Sequence, residues 1–266
     1  MNLEDHVGDI VQKACSIKGK SIESVAEVVG MNVYELFEFI KSGHSRQNID
    51  YEAVGSFLGI SSLKLKNIAH GWHPRQIDLS QWNIKSFVSE KGFSVNCYLL
   101  WDAGSAEAAL FDTGFNYAAI NQFICGKNLK LKSIFITHNH HDHIELVPLF
   151  KEKFSQIVCY NFKEDIVNNQ EFQLGALRIK AIHIPTHSND SFAYFATGFM
   201  NNLPPVVFAG DIIFAGSVGR MPHYDGENGL KLIRENILTL PSETIICPGH
   251  GPTTTVEEEL KNNPFF

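Results

Sequence analysis

Two hydrophobic periodicities divide the chain. Up to about residue 75 the apolar positions recur at helical spacing between short polar breaks. Ser21-Ile22-Glu23-Ser24 opens a helix, with Ser21 and Ser24 as candidate caps, and Gly30 closes it. Val33 to Lys41 reads as a second helix ended near Gly43. Asn48-Ile49-Asp50 starts a third that runs to Gly59, and Ser61 or Ser62 starts a fourth that ends near Gly71. His73-Pro74-Arg75 is the exit to a linker. From about Trp82 short runs of strand character take over. They are Ile84 to Val88, Phe93 to Trp101, Ala108 to Phe111, Ser133 to Ile136, Ile157 to Tyr160, Leu177 to Ile184, Ser191 to Phe195, Val206 to Phe208 and Thr244 to Cys247. Helical stretches at Tyr117 to Phe123, Ile144 to Phe154 and Gly229 to Leu238 fall between some of them. The pattern predicts a small all-α domain over residues 1–75 and an α/β layered domain over residues 76–266.

The polar positions that interrupt the second region carry the chemistry. The apolar run Ile134-Phe135-Ile136 gives way to Thr137-His138-Asn139-His140-His141-Asp142-His143. Four of the chain's 12 histidines fall within six positions there. His138 and His140 are two apart, so both point one way from an extended loop. Asp142 and His143 follow as the chain turns into a helix and face a second point nearby. Imidazole and carboxylate suit zinc, iron or manganese, and one ion rarely needs all four groups, so the spacing implies two adjacent metals.

Further candidates stand at other strand ends. His187 follows Ile184-Pro185-Thr186, Asp211 follows Phe208-Ala209-Gly210, and His250 follows Cys247-Pro248-Gly249. Asp211 has two oxygens and can bridge two ions. Asp112, in Phe111-Asp112-Thr113-Gly114, suits a turn cap as well as a carboxylate that orients a ligand histidine. His183 lies within a strand and reads as structural.

Composition narrows the class. The chain is 44% hydrophobic, enough for a core, yet no apolar run approaches the roughly 18 residues of a membrane span. The start, Met1-Asn2-Leu3-Glu4-Asp5, is acidic and lacks the apolar core of a signal peptide. Five scattered cysteines suit reduced thiols, so a cytoplasmic location is expected. A net charge of −7 argues against nucleic acid and anionic membranes as partners.

His138-Asn139-His140-His141-Asp142-His143, then His187, Asp211 and His250 in that order, resemble the metallo-β-lactamase superfamily over roughly residues 82 to 266. The resemblance implies a four-layer αβ/βα sandwich with a dinuclear site on one edge of two packed sheets. It puts one metal on His138, His140 and His187, a second on Asp142, His143 and His250, and Asp211 between them. Zinc is the expected metal, with iron or manganese as the alternatives. Within the superfamily, Gly210-Asp211-Ile212-Ile213-Phe214-Ala215-Gly216-Ser217-Val218-Gly219-Arg220 and the ending Asn263-Pro264-Phe265-Phe266 are similar to glyoxalase II, the hydroxyacylglutathione hydrolases. That likeness implies hydrolysis of a small-molecule acyl thioester by a metal-bound hydroxide. Asp142 or Asp211 would orient the nucleophile or move its proton. Arg220 falls where the group binds the glutathione carboxylate, and Tyr224 stands near the expected aromatic. The chain departs from the group at Thr186, Asp190, Glu145, Leu146 and Pro222. A mononuclear iron persulfide dioxygenase and a lactonase share enough of the pattern to stay open.

Ser21 to Ala69 resembles a λ-repressor-type helix-turn-helix, which leaves a ligand-sensing DNA-binding regulator as a reading from another class. The second helix carries Glu35 and Glu38 where DNA contacts want basic or amide side chains, and residues 1–75 hold eight Lys and Arg against nine Asp and Glu. A packing or dimerisation module is therefore expected rather than a DNA reader. The five apolar residues Val33, Leu36, Phe37, Phe39 and Ile40 exceed one buried face. They predict a cover from the second domain or from a second copy in a homodimer.

Overall fold

The computed structural model describes residues 2–45, 48–161, 166–222 and 225–266. Five helices come first: α1 (Val7–Ile17), α2 (Ile22–Val29), α3 (Val33–Ser42), α4 (Tyr51–Leu58) and α5 (Ser62–Ala69). Ser21 caps α2 and a left-handed Gly30 ends it, as the sequence predicts. Helix α1 has no counterpart among the delineated sequence elements. Its cap is His6, which exchanges hydrogen bonds with Asp9, and histidine lies outside the usual Ser, Thr, Asp and Asn caps.

The first sheet is built from β1 (Ile84–Glu90), β2 (Ser94–Trp101), β3 (Glu107–Phe111), β4 (Lys130–Phe135) and β5 (Val158–Tyr160), in that spatial order. Helix α6 (Tyr117–Gly126) crosses between β3 and β4, which run parallel. Between β4 and β5 lie α7 (His141–Ile144) and α8 (Val147–Lys153), where the sequence predicts one helix from Ile144 to Phe154. The break has a local cause: Pro148 lacks an N–H and starts a helix more readily than it continues one.

The second sheet takes β6 (Glu171–Leu174), β7 (Leu177–His183), β8 (Phe192–Thr197) and β9 (Val206–Gly210). A two-stranded hairpin follows, β10 (Ile213–Phe214) with β11 (Ser217–Val218), and then α9 (Gly226–Asn236). The chain closes with β12 (Ile245–Pro248), β13 (Thr254–Thr255) and α10 (Val256–Asn262). The spatial order is β13-β12-β9-β8-β7-β6, with β12 and β9 parallel. The two-residue strands β10, β11 and β13 are too brief to show an alternating pattern, whereas β6, Glu171-Phe172-Gln173-Leu174, alternates and was open to detection.

Three apolar clusters give the layers. Phe111, Phe135, Tyr194 and Phe208 fill the space between the sheets, with Phe111 and Phe208 stacked. Ile120, Ile124 and Phe150 of α6 and α8 cover the outer face of the first sheet. On the outer face of the second sheet, Val207 and Ala209 of β9 share one cluster with Ile10 of α1, Ile68 of α5 and Ile233 of α9. The result is the four-layer α/β sandwich, and the N-terminal helices belong to its outermost layer. Further ties cross from them to the rest: Ser61 donates to the Pro264 carbonyl at 2.8 Å, and Lys64 donates to the carbonyls of Leu260 and Phe266.

Helix α3 buries Leu36, Phe39 and Ile40, and packs against α1 and α2. Tyr34 and Phe37 remain 72% and 46% exposed, so the second domain does not cover them. No helix among the described residues is long and apolar enough to cross a membrane.

Candidate metal centre

The strand ends converge. Thr137 to His140 follows β4, Asp211 follows β9 and His250 follows β12, all at the C-terminal ends of parallel strands, where the loops share one edge of the sandwich. His187 reaches the same place from the turn after β7. Donor atoms of His138, His140 and His187 lie together: His140 Nδ1 stands 2.9 Å from His138 Nε2 and 3.0 Å from His187 Nε2. A second group gathers around Asp142 Oδ2, which is 3.3 Å from both His143 Nε2 and His250 Nε2. Asp211 stands between them. Its Oδ1 is 3.5 Å from His143 Nε2, and its Oδ2 is 3.4 Å from His250 Nε2 and 3.6 Å from His187 Nε2. All seven residues singled out in the sequence are thus brought together.

Three of the imidazoles present a defined nitrogen. His187 Nδ1 donates to the Arg220 carbonyl at 2.9 Å, and His250 Nδ1 donates to the Ser94 carbonyl at 2.6 Å. A carbonyl only accepts, so both rings carry hydrogen on Nδ1 and turn Nε2 inward. His143 Nδ1 does the same toward Asp112 Oδ2 at 2.8 Å. Asp112 also accepts from the Thr137 N–H and hydroxyl, each at 2.8 Å, so it joins the first ligand loop to the second group. This is the orienting role the sequence allowed for it.

The residues fit divalent ions. His143 Nε2 and Asp211 Oδ1 are buried without a hydrogen-bond partner, which a native site rarely tolerates unless another partner belongs there. Metal–nitrogen bonds of about 2.0–2.1 Å at tetrahedral angles separate ligand atoms by about 3.3 Å, close to the spacings here. Gly249 keeps the cradle open, since a Cβ there would lie 2.2 Å from Asp211 Oδ1 and 2.8 Å from His143 Cε1.

The electrostatics differ between the two groups. Burial, reinforced by the neighbouring rings, pushes His138 well below the ordinary histidine range, and burial pushes His187 down as well, against the pull of Asp211. Burial also works against charge on His143, but Asp112 and Asp211 outweigh it and hold that ring up to about 10. His250 is held up to about 11 against burial by its bonds to Asp142 and Asp211. Burial alone would raise the Asp142 and Asp211 carboxyls; His143 and His250 outweigh it and hold both below the usual carboxylate range. His138 and His187 offer neutral imidazoles directly, whereas ligation by His143 and His250 displaces protons.

Several residues at the site had no role assigned from the sequence. Asn96 Nδ2 donates to the Pro248 and Gly251 carbonyls and Tyr98 Oη to Pro248, so both hold the His250 loop. Asn96 was detectable only as a polar residue in an otherwise apolar strand. Asp190 accepts from the Asn139 N–H at 3.1 Å, from the Asn139 amide and from the Ser188 hydroxyl, tying the His138–His140 loop to the His187 turn. Arg220 is exposed at the rim, its guanidinium 3.5 Å from Gln12 Oε1 of α1. Tyr224, the other expected substrate contact, lies outside the described residues. His183, read as structural, contacts the Asn189 carbonyl at 2.9 Å.

Residues 91–165 match the family model described as the metallo-beta-lactamase superfamily. The chain is 30% identical over 204 residues to hydroxyacylglutathione hydrolase GloC of Haemophilus influenzae, covering 65% of this chain and 93% of that protein. Among solved structures it is similar to the BLEG-1 B3 metallo-beta-lactamase, with a TM-score of 0.60 and 29% identity over 68% of this chain and 98% of the other. It is also similar to TTHA1623 in a di-iron-bound form, with a TM-score of 0.56 and 25% identity over 68% of this chain and 100% of the other.

Proposed function

The chain belongs to the metallo-beta-lactamase superfamily, and from that premise we propose that it is a two-metal hydrolase of acyl thioesters of the acylglutathione kind. The observation that carries this reading is the pair of three-residue donor groups with Asp211 between them. His138, His140 and His187 would hold one divalent ion and Asp142, His143 and His250 the other, with Asp211 shared. Zinc suits an all imidazole and carboxylate donor set, as do iron and manganese. When bound, such ions supply Lewis acidity and lower the pKa of water toward neutrality.

The chain's own groups do the rest. Asp142 and Asp211 stay ionised at neutral pH, so either can orient the attacking water or take up its proton. His140 is exposed and opens the site to solvent on the side of Arg220. Arg220, exposed at the rim, would bind a carboxylate on the thiol carrier. A complete second donor group favours two ions, and hence hydrolysis, over a mononuclear persulfide dioxygenase. The similarity to hydroxyacylglutathione hydrolase GloC supports the thioester over other esters.

The test is metal analysis of the purified protein with an activity panel of acyl thioesters, a lactone, a persulfide and a β-lactam. About two ions per chain and fastest turnover of acylglutathione are expected. Arg220→Ala should raise KM more than it lowers kcat, because a contact remote from the reacting carbonyl is mostly uniform binding. Equal turnover of thioesters lacking a carboxylate on the carrier would refute the glutathione part.

A further inference from the structure

The buried ammonium of Lys13 is the least expected charge in the molecule. Lys13 lies on α1, which otherwise turns Ile10, Val11 and Ala14 into the core, and it is only 5% exposed. Burying a charge is costly unless it is paired and hydrogen-bonded. Lys13 pairs with Asp5, itself 6% exposed, donates to the Val218 carbonyl at 2.7 Å, and stands over the Phe214 ring at 4.9 Å. An ammonium has three N–H donors, and these contacts account for its surroundings.

Two of the three partners belong to the hairpin β10–β11, and that hairpin is wired to both halves of the metal centre. On one side the chain runs from Val218 through Gly219 to Arg220, whose carbonyl receives the His187 Nδ1 hydrogen at 2.9 Å. Gly219 leaves no slack in that path: a Cβ there would lie 1.7 Å from the Asp211 carbonyl oxygen and 3.2 Å from His187 Cβ. On the other side Phe214 meets the His250 ring edge-on, 5.9 Å between centroids. A shift of the hairpin therefore moves the carbonyl that sets the His187 tautomer.

We propose that Lys13 is a positioning residue of the metal centre, holding His187 in its metal-binding tautomer through Val218 and the Arg220 carbonyl. The N-terminal helices are by this account a working part of the site. The inference rests on the two-metal reading above and goes beyond it, because it assigns an effect on the centre to a residue of the helical region.

The test uses full-length protein stripped with a chelator and titrated with Co2+ against a competing chromophoric chelator. Replacing the whole pair, Asp5→Leu with Lys13→Met, leaves no unpaired buried charge and is the variant that keeps folding intact. The expected result is a metal-free melting temperature close to that of the wild type, with at least tenfold weaker binding of the ion held by His187. In 15N-labelled metal-free protein the His187 ring should then pass from the Nδ1–H tautomer to a mixture. Lys13→Arg, which keeps charge and donors, should restore most of both. Lys64→Met removes a comparable tie between the helices and the C-terminus with no path to a ligand, and should change stability alone. The inference is overturned if the double variant binds Co2+ as the wild type does with an unchanged His187 tautomer, or if Lys64→Met weakens binding equally. A wild-type protein that takes up fewer than two ions would overturn the two-metal reading itself, a result distinct from a variant that fails to differ.

Discussion

Asp112→Asn is the substitution that best separates orientation from charge at this centre. The residue has φ +56°, in the left-handed region where Asn is at ease, so the backbone accepts the change. The carboxylate takes three hydrogen bonds: one oxygen receives the Thr137 N–H, the other receives the Thr137 hydroxyl and His143 Nδ1–H. An amide has one acceptor oxygen. With that oxygen toward the Thr137 N–H, the NH2 faces His143 Nδ1, which must become an acceptor, and the ring is left with its hydrogen on Nε2. That tautomer has no lone pair for an ion. With the oxygen toward His143, the NH2 meets the Thr137 N–H, a buried donor against a donor, at about 1–3 kcal/mol. Metal-free protein takes the first arrangement and ion binding forces the second, so the second site should lose roughly five- to 150-fold in affinity. Competition against a chromophoric chelator measures it, with the first site serving as an internal control. Unchanged affinity at both sites, or an equal loss at both, would refute the reasoning.

Asp211→Ala should weaken both ions together, since one oxygen faces His143 and the other faces His187 and His250, whereas His250→Ala should empty mainly the second site; equal losses from the two substitutions count against the shared role. Glu259 is a fully buried residue of α10, and burial raises it from 4.5 to about 7 despite bonds from Asn263, Thr254 and Gly216. A carboxyl raised on folding stabilises fully below its unfolded pKa and loses that contribution as pH climbs through the folded one. Unfolding free energy should therefore fall between pH 4.5 and about 7, by about 3 kcal/mol at 1.36 kcal/mol per unit. Glu259→Gln should flatten that slope in denaturant titrations, and an unchanged slope would assign it to other groups. The helical region should not bind duplex DNA below micromolar concentration at physiological salt, because it has no cationic excess to release counterions. The exposed Tyr34 and Phe37 should instead support a homodimer, which Phe37→Glu converts to monomer in sedimentation, and a monomeric wild type would remove that expectation.

The metal centre was legible because its chemistry restricts residue types. Only imidazole and carboxylate would serve as ligands at such a site, so His138, His140, Asp142, His143, His187, Asp211 and His250 stand out where strands end. Asp112 was legible by the same route, though a turn aspartate looks identical without the 2.8 Å contact to His143. The fold was legible where elements are long enough to show a period and open on a recognisable cap, which α1, capped by His6, does not. It was not where two residues make a strand, as in β10 and β11, or where Pro148 divides a helix whose apolar positions run straight through.

What stayed hidden has one physical feature in common: its meaning depends on a partner far away in the chain. Lys13 looks like any lysine on an amphipathic helix until Val218, 205 positions on, is found to accept its hydrogen bond. Asp190 looks like a loop acid until it holds Asn139, 51 positions before it. Asn96 is an oddity in a strand until the Pro248 carbonyl, 152 positions on, explains it. None of these residues is among the seven donors, and each is bonded to a segment that lies beside one. Ligand chemistry tolerates few residue types, so it can be read from the chain. Positioning is achieved by any donor or acceptor that reaches, so it can be read only from the fold. The N-terminal helices follow the same logic: their sequence resembles a module that reads DNA, while their packing places α1 against the hairpin that follows Asp211. The physical question about that region is then how far it sets ion affinity. The paired replacement of Asp5 and Lys13 answers it without removing a single ligand.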